Sequence, residues 1–378
     1  MRLFRISILE ESFPWQNALR KHVSDMLTLD EMIAAPIPVD DEAEEQARAQ
    51  WDAVAKPLHS LGVLEDAVVR IAGFTGNADV RIDKRALLVF CADHGITARG
   101  VTQCGSEVTA RVTDAIAAGR STINPMARLA RCDVFPVDMG IRNYTPNKGV
   151  VSCRIGNGTA DISEGPAMSR ADCIRAIEAG ADFVRQLKDK GFHILAVGEM
   201  GIGNTSAAAA MASALLRADP EPIVGRGAGL SDAGLERKRR SVRMALERNR
   251  PDPDDPVDVL SKVGGFEIAA MCGAFLGAGA YRIPILIDGM ISSVAALCAV
   301  RLHPAVKAGM LATHLSSEPV GETLLRALGL EAPITAGMHL GEGSGAVAFL
   351  PLLDMALAVY HSGQTFDKLG IASYTPQN

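Results

Sequence analysis

Ile194-Leu195-Ala196-Val197-Gly198-Glu199-Met200-Gly201-Ile202-Gly203-Asn204-Thr205-Ser206 passes from a short apolar run, through three glycines, into the alanine-rich stretch Ala207–Ala210. Four or five apolar residues closed by glycine read as a buried strand, and the segment behind them reads as a helix over about Asn204–Leu216. Strand, glycine turn and helix in that order are the building unit of a parallel α/β sheet. At such a turn the first helical N–H groups, joined by the hydroxyls of Thr205 and Ser206, offer an anion site. One helix terminus contributes about 0.3–2 kcal/mol toward an anion, so a phosphate needs further donors. Gly225-Arg226-Gly227-Ala228-Gly229, Lys238 and Ser316-Ser317 are the candidates. A purely structural strand-to-helix turn is the alternative. The spacing is neither the Walker pattern nor a clean G-x-G-x-x-G, which argues against standard triphosphate and dinucleotide sites.

Three further runs end the same way. Leu87–Phe90 leads into Asp93-His94-Gly95, Val134–Val137 into Asp138-Met139-Gly140, and Ile283–Ile287 into Asp288-Gly289. An acid beside a glycine thus recurs at the carboxyl end of four strands, the edge where open α/β sheets bind ligands. The competing explanation, for Asp138 and Asp288 in particular, is that the acids cap the helices that follow. Helices are expected from Ser169, as cap, to about Lys190, and over Asp232–Asn249, Gly264–Ala280 and Ser292–Leu302. The proline-dense stretch 250–256 must be a loop. Before the sheet, residues 1–80 read as a helical leader. One of its helices opens at the acidic run Asp40–Glu45 and stops at Lys56-Pro57, and a second follows with Ser60 as a candidate cap.

A second glycine frame, Met338-His339-Leu340-Gly341-Glu342-Gly343-Ser344-Gly345-Ala346, sets one carboxylate against the apolar run Val347–Leu353. A Glu held by backbone beside buried sequence suits a general base. Alternatively the stretch is a capping loop, with Ser344 as N-cap of a helix Gly345–His361 and Glu342 near its positive end. Asp93-His94 could serve acid–base chemistry or hydrogen-bonded scaffolding. His314 and His339 flank loops that could line a cleft. Neither H-E-x-x-H spacing nor a G-x-S-x-G elbow occurs, so neither a bound metal nor a serine nucleophile is expected.

Composition narrows the class. A net charge of −6 with aromatics at 4% argues against nucleic acid, which calls for a positive stripe and stacking rings. Seven scattered cysteines without a C-x-x-C pair fit a reducing cytoplasm. The N-terminus does not read as a signal peptide. The best apolar run, around Leu286–Val300, contains Asp288, so no membrane span is expected.

Taken together, these stretches resemble the nicotinate-nucleotide:dimethylbenzimidazole phosphoribosyltransferase family of cobamide (vitamin B12) biosynthesis. The likeness runs from about Lys56 to Tyr360. Besides the motifs above it takes in Lys56-Pro57 with Ser60-Leu61-Gly62, Glu107-Val108-Thr109, Gly165-Pro166-Ala167-Met168-Ser169 and Ser261-Lys262-Val263-Gly264-Gly265-Phe266. The resemblance implies transfer of 5-phosphoribose from nicotinate mononucleotide to 5,6-dimethylbenzimidazole or a related lower-ligand base, giving the α-ribazole phosphate and nicotinate, with no cofactor. It implies a homodimer with a large Rossmann-like α/β domain (81–330). A small helical domain would be built from residues 1–80 and 331–378. Glu342 would be the general base. Glu199, Gly201, Ile202, Asn204, Thr205, Gly227, Lys238 and Ser316 would hold the nucleotide and its phosphate. Asp93, Cys104, Val112, Met200 and Leu340 would line the acceptor pocket.

The chain departs from the family pattern in places. Pro57-Leu58-His59 stands where Pro-Pro-Gly is common, Cys104 where some relatives carry a hydroxyl, and Val112 in place of a polar amide. Adenine, another benzimidazole or a phenol therefore stay open as acceptors. Two other readings compete with the transferase. One is a non-catalytic nucleotide-binding protein. The other is a transferase using phosphoribosyl pyrophosphate, which needs paired acids for magnesium pyrophosphate that the sequence does not show.

Overall fold

The computed structural model describes residues 26–374, so the first part of the leader lies outside the described residues. Six strands form one sheet: β1 (Arg85–Ala92), β2 (Cys132–Gly140), β3 (Val151–Ser152), β4 (Ile194–Met200), β5 (Ile285–Ile287) and β6 (Met310–Ala312). Their order is β3-β2-β1-β4-β5-β6 and every pairing is parallel. The α/β sheet expected from the four apolar runs is therefore present. Its direction of winding reverses between β1 and β4, which opens a crevice beyond their carboxyl ends.

Period-two alternation divides the core between the two faces of β1. Ala86, Leu88, Phe90 and Ala92 pack into the layer containing the helices Arg170–Asp189, Asn204–Leu216 and Phe266–Ala280. Leu87, Val89 and Cys91 face the other way, onto the helices Val63–Thr75 and Ser344–Tyr360. All eight residues of β1 are buried, as a strand covered on both faces requires. Proline trims β5: Pro284 has no N–H to give, and the ladder starts one residue later.

Two helix starts form where the sequence marks them. Asp40 accepts from the Ala43 N–H and Ser169 from the Asp172 N–H, opening the helices Asp41–Ala53 and Arg170–Asp189. Ser60 is not a cap. The second leader helix begins after Gly62, at a φ of +53°, and Glu65 reaches back to take the Leu61 N–H at 2.8 Å and Lys56 Nζ at 2.8 Å. Ser344 is not a cap either: Gly343 precedes the helix Ser344–Tyr360, at a φ of +81°. Among the described residues, no helix is long and apolar enough to cross a membrane.

The closest helix pair, Arg170–Asp189 with Phe266–Ala280, touches backbone to backbone. A methyl group on Gly273 would lie 1.8 Å from the Ile177 carbonyl oxygen, and one on Gly180 would lie 2.0 Å from that of Ala270. The second helix carries Glu267, which pairs with His94 beyond the end of β1, so the spacing of this pair bears on the site. Gly273→Ala should force the two helices apart and destabilise the protein by about 1–3 kcal/mol, as overpacking does. Denaturant titration reads this directly; an unchanged midpoint would mean the contact yields without cost.

Candidate active site

The site is assembled around Asp288, the first residue past β5. Its Oδ1 accepts the N–H groups of Gly345 (2.7 Å) and Ala346 (3.2 Å), and its Oδ2 that of Gly343 (3.2 Å). Asp288 therefore does cap a helix, but the C-terminal Ser344–Tyr360 rather than the one following it in sequence. Asp138 makes a local turn instead, accepting from Gly140 and Ile141 and pairing with Arg154.

The capping geometry accounts for the glycine frame. Gly341, Glu342 and Gly343 adopt successive φ values of +84°, +57° and +81°. For a Glu this left-handed conformation costs about 1–2 kcal/mol. A side chain on Gly345 would run into the His314 imidazole, and one at Gly198 on β4 would lie 2.5 Å from the Gly343 nitrogen. Bare backbone at 198 and 345 lets the loop lie directly on the sheet edge. Glu342 is thereby set against the turn preceding the helix Ile123–Leu129. Its Oε2 accepts from Ser121 Oγ at 2.7 Å and from the Ile123 N–H at 3.3 Å.

A cavity of about 250 Å³ opens beside this loop. Glu342, Leu340, Glu199 and Met200 line it, with Gly201, Ile202, Asn204 and Thr205 from the turn after β4 and Gly227 and Ser316 from two further loops. A smaller space of about 80 Å³ shares Gly201, Ile202, Asn204, Thr205 and Gly227 with it and adds Cys104 and Lys238. Lys238 is buried, with Nζ donating to Thr205 Oγ1 (2.8 Å) and the Gly225 carbonyl (3.0 Å). Burial pushes its ammonium down to about 8. A desolvated cation behind a hydroxyl and a glycine loop is suited to an anion that arrives without its water.

Glu199 is the second carboxylate of the cavity. Burial, then the nearby charges of Asp288 and Glu267, push it up to about 8, against a hydrogen bond from Asn204 Nδ2. Its environment thus favours the neutral form. Two of the anticipated acceptor residues lie off the cavity wall. Asp93 is buried and accepts the Arg142 N–H at 2.8 Å, and Val112 packs half-buried against the core. His94 pairs not with Asp93 but with Glu267, Nε2 to Oε1 at 2.6 Å, fully buried. That is the scaffolding alternative, sited behind Gly203, where an added methyl would meet the His94 side chain. His314 and His339 line the cavity as anticipated. Ser121, Glu267 and the reach of Asp288 were not singled out from sequence; Arg120-Ser121-Thr122 reads as an ordinary polar turn.

A parallel sheet whose switch-point cavity sets a buried ammonium and glycine loops on one side and a backbone-held carboxylate on the other has the makings of an α/β transferase for an anionic sugar. The phosphoribosyltransferase family matches residues 37–371. The nicotinate-nucleotide–dimethylbenzimidazole phosphoribosyltransferase of Acetivibrio thermocellus is 43% identical over 89% of this chain and 96% of its own length. That of Ruminiclostridium cellulolyticum is 40% identical over 93% and 99%. The crystal structure of CobT from Thermus thermophilus superposes with a TM-score of 0.83 at 37% identity, covering 88% of this chain and all of that one. The chain belongs to the nicotinate-nucleotide–dimethylbenzimidazole phosphoribosyltransferase family.

Because the folded chain holds the Glu199 proton far above the ordinary carboxylate range, stability from this group is complete below about pH 4.5 and drains away as pH rises toward about 8. Glu199→Gln removes that loss. Its melting temperature relative to wild type should climb steadily between those limits and then level off; a difference independent of pH would contradict the assignment.

Proposed function

We propose that this protein transfers 5-phosphoribose from nicotinate mononucleotide to 5,6-dimethylbenzimidazole or a closely related base, releasing nicotinate and α-ribazole 5′-phosphate for cobamide assembly. Family membership supports the reaction, and one observation of the site carries the mechanism: Glu342 and the Thr205–Lys238 anion pocket border adjoining cavities that share lining residues at the sheet edge.

Nicotinate leaves carbon 1 of the ribose as an already cationic pyridinium nitrogen, which takes the bonding pair and becomes neutral. No acid is required at that nitrogen. The acceptor nitrogen attacks the same carbon from the opposite face and inverts it. The acceptor's N–H proton passes to Glu342, the general base. Burial and neighbouring acids disfavour a second negative charge at Glu199, a separation of two carboxyl groups by environment. Lys238, Thr205, Gly227 and Ser316 grip the phosphate away from the reacting carbon, with Gly201, Ile202 and Asn204 beside the ribose. Remote binding of this kind supplies orientation. Met200 and Leu340 border the acceptor side, and Cys104, in the adjoining smaller space, is where acceptor choice would be tuned.

The protein works as a cytoplasmic homodimer in this reading. Its small domain would be built from the described parts of 1–80 and 331–378, and its large one from 81–330. Leu129 (81% exposed) and Met355 (56% exposed) sit on helices that pack together, and they offer apolar surface for a second copy to cover.

Two variants test the assignments. Glu342→Gln should keep nicotinate mononucleotide binding and lose turnover by about 10²–10⁴-fold. Wild-type nicotinate release would refute the base, and a wild-type protein equally unable to release nicotinate would favour a non-catalytic binder. Lys238→Ala should raise the KM for nicotinate mononucleotide by about 10–100-fold, the worth of a charge-assisted hydrogen bond, with a smaller change in kcat. An unchanged KM would remove Lys238 from the phosphate site.

A further inference from the structure

Glu342 receives its hydrogen bonds on one oxygen only. Ser121 Oγ (2.7 Å) and the Ile123 N–H (3.3 Å) both point to Oε2, whereas Oε1 makes no hydrogen bond to the described residues. The shorter of the two has the length of a charge-assisted bond to a carboxylate. We infer that Ser121 is a positioning residue: it immobilises Oε2 so that Oε1 is the oxygen presented to the acceptor's N–H. The inference rests on Glu342 being the general base.

The surroundings of Ser121 are built to hold it still. The chain leaves the helix Glu107–Ala117, turns at Gly119 with a φ of +72°, and enters the helix Ile123–Leu129. Buried Asn124 clamps the turn from within. Its Oδ1 accepts the Ser121 N–H at 2.8 Å, its Nδ2 donates to the Ile116 carbonyl at 3.1 Å, and its own N–H donates to the Ser121 carbonyl at 3.2 Å. A hydroxyl on a turn so fixed acts as a rigid donor rather than a solvated side chain. Two donors on one carboxylate oxygen oppose rotation about the last side-chain bond, which would otherwise exchange the two oxygens. A base displaced by about an ångström can lose about two orders of magnitude in rate. The anion pocket at Thr205 and Lys238 belongs to other segments of the chain, so losing the Ser121 hydroxyl leaves it intact.

The test is a set of variants measured with saturating acceptor. Ser121→Ala should lower kcat about 10–100-fold, the range expected for losing a hydrogen bond to a charged group, and leave the KM for nicotinate mononucleotide within about twofold. Ser121→Thr, which keeps the hydroxyl, should recover most of the rate. Ser121→Cys preserves the volume with a weaker donor and should fall with Ala, which separates loss of the bond from loosening of the turn. In the Glu342→Gln background Ser121→Ala should cost nothing further, because the two act as one unit. Wild-type kcat in Ser121→Ala beside an inactive Glu342→Gln overturns the inference alone, and so does a full multiplicative loss in the double variant. Wild-type turnover in Glu342→Gln overturns the base assignment and the inference with it.

Discussion

Three backbone N–H groups converging on the carboxylate of Asp288 join the two ends of this architecture. Without that contact the C-terminal helix would begin with orphan donors buried against the sheet, and β5 would end on an unpaired acid. Each hydrogen bond to a charged group contributes about 1.5–3 kcal/mol, so the set comfortably offsets the left-handed backbone at Glu342. The strain at Glu342 is thus sustained by a partner nearly sixty positions away in sequence. It places a carboxylate over the switch point, flanked in the chain by Gly341 and Gly343.

Burial of several acids at one sheet edge raises the question of how the folded chain tolerates them. Each answers differently. Asp288 is pushed up by burial, but His314 and the amides of Ala346 and Gly345 oppose that push. Glu199 is biased toward its neutral form. Glu267 shares a short hydrogen bond with His94 inside the scaffold. Glu342 alone is held by a hydroxyl and an amide on one oxygen while lining the cavity. The carboxyl groups of one edge are thereby sorted into a cap, a group biased toward its neutral form, a scaffold partner and the proposed base, by environment rather than residue type.

Period and punctuation made the sheet readable. Apolar runs closed by glycine gave β1, β2, β4 and β5 from pattern alone, and Asp40 and Ser169 announced their helices correctly. β3 is two residues long, and β6 lacks a longer apolar run such as Ile283–Ile287, which marked β5. The misread caps share a cause. At Ser60 and Ser344 a plausible hydroxyl was outcompeted by a neighbouring glycine able to take a positive φ, and composition cannot rank the two. The glycine frames around Glu199 and Glu342 were legible because close approach to a sheet edge requires bare backbone. Asp288 was legible as an acid but not as the cap of Ser344–Tyr360, nor was Ser121 as a partner of Glu342, because both relations span long sequence separations that no local spacing encodes.

The two sides of the cavity differ in how tightly they constrain a ligand. On the side proposed to hold the phosphate stand a buried lysine, a threonine hydroxyl and glycine backbone; if they bind it, an analogue lacking the phosphate would leave those polar groups unpaired, a penalty of several kcal/mol. On the side proposed for the acceptor, Met200 and the half-exposed Leu340 offer mainly apolar contact. Apolar walls distinguish one methylene by only about 1–3 kcal/mol. A demand common to all acceptors remains: a nucleophilic atom aligned with the sugar and a proton within reach of a fixed oxygen. In the proposed reading, stringency toward the sugar phosphate and latitude toward the base then follow from the same geometry.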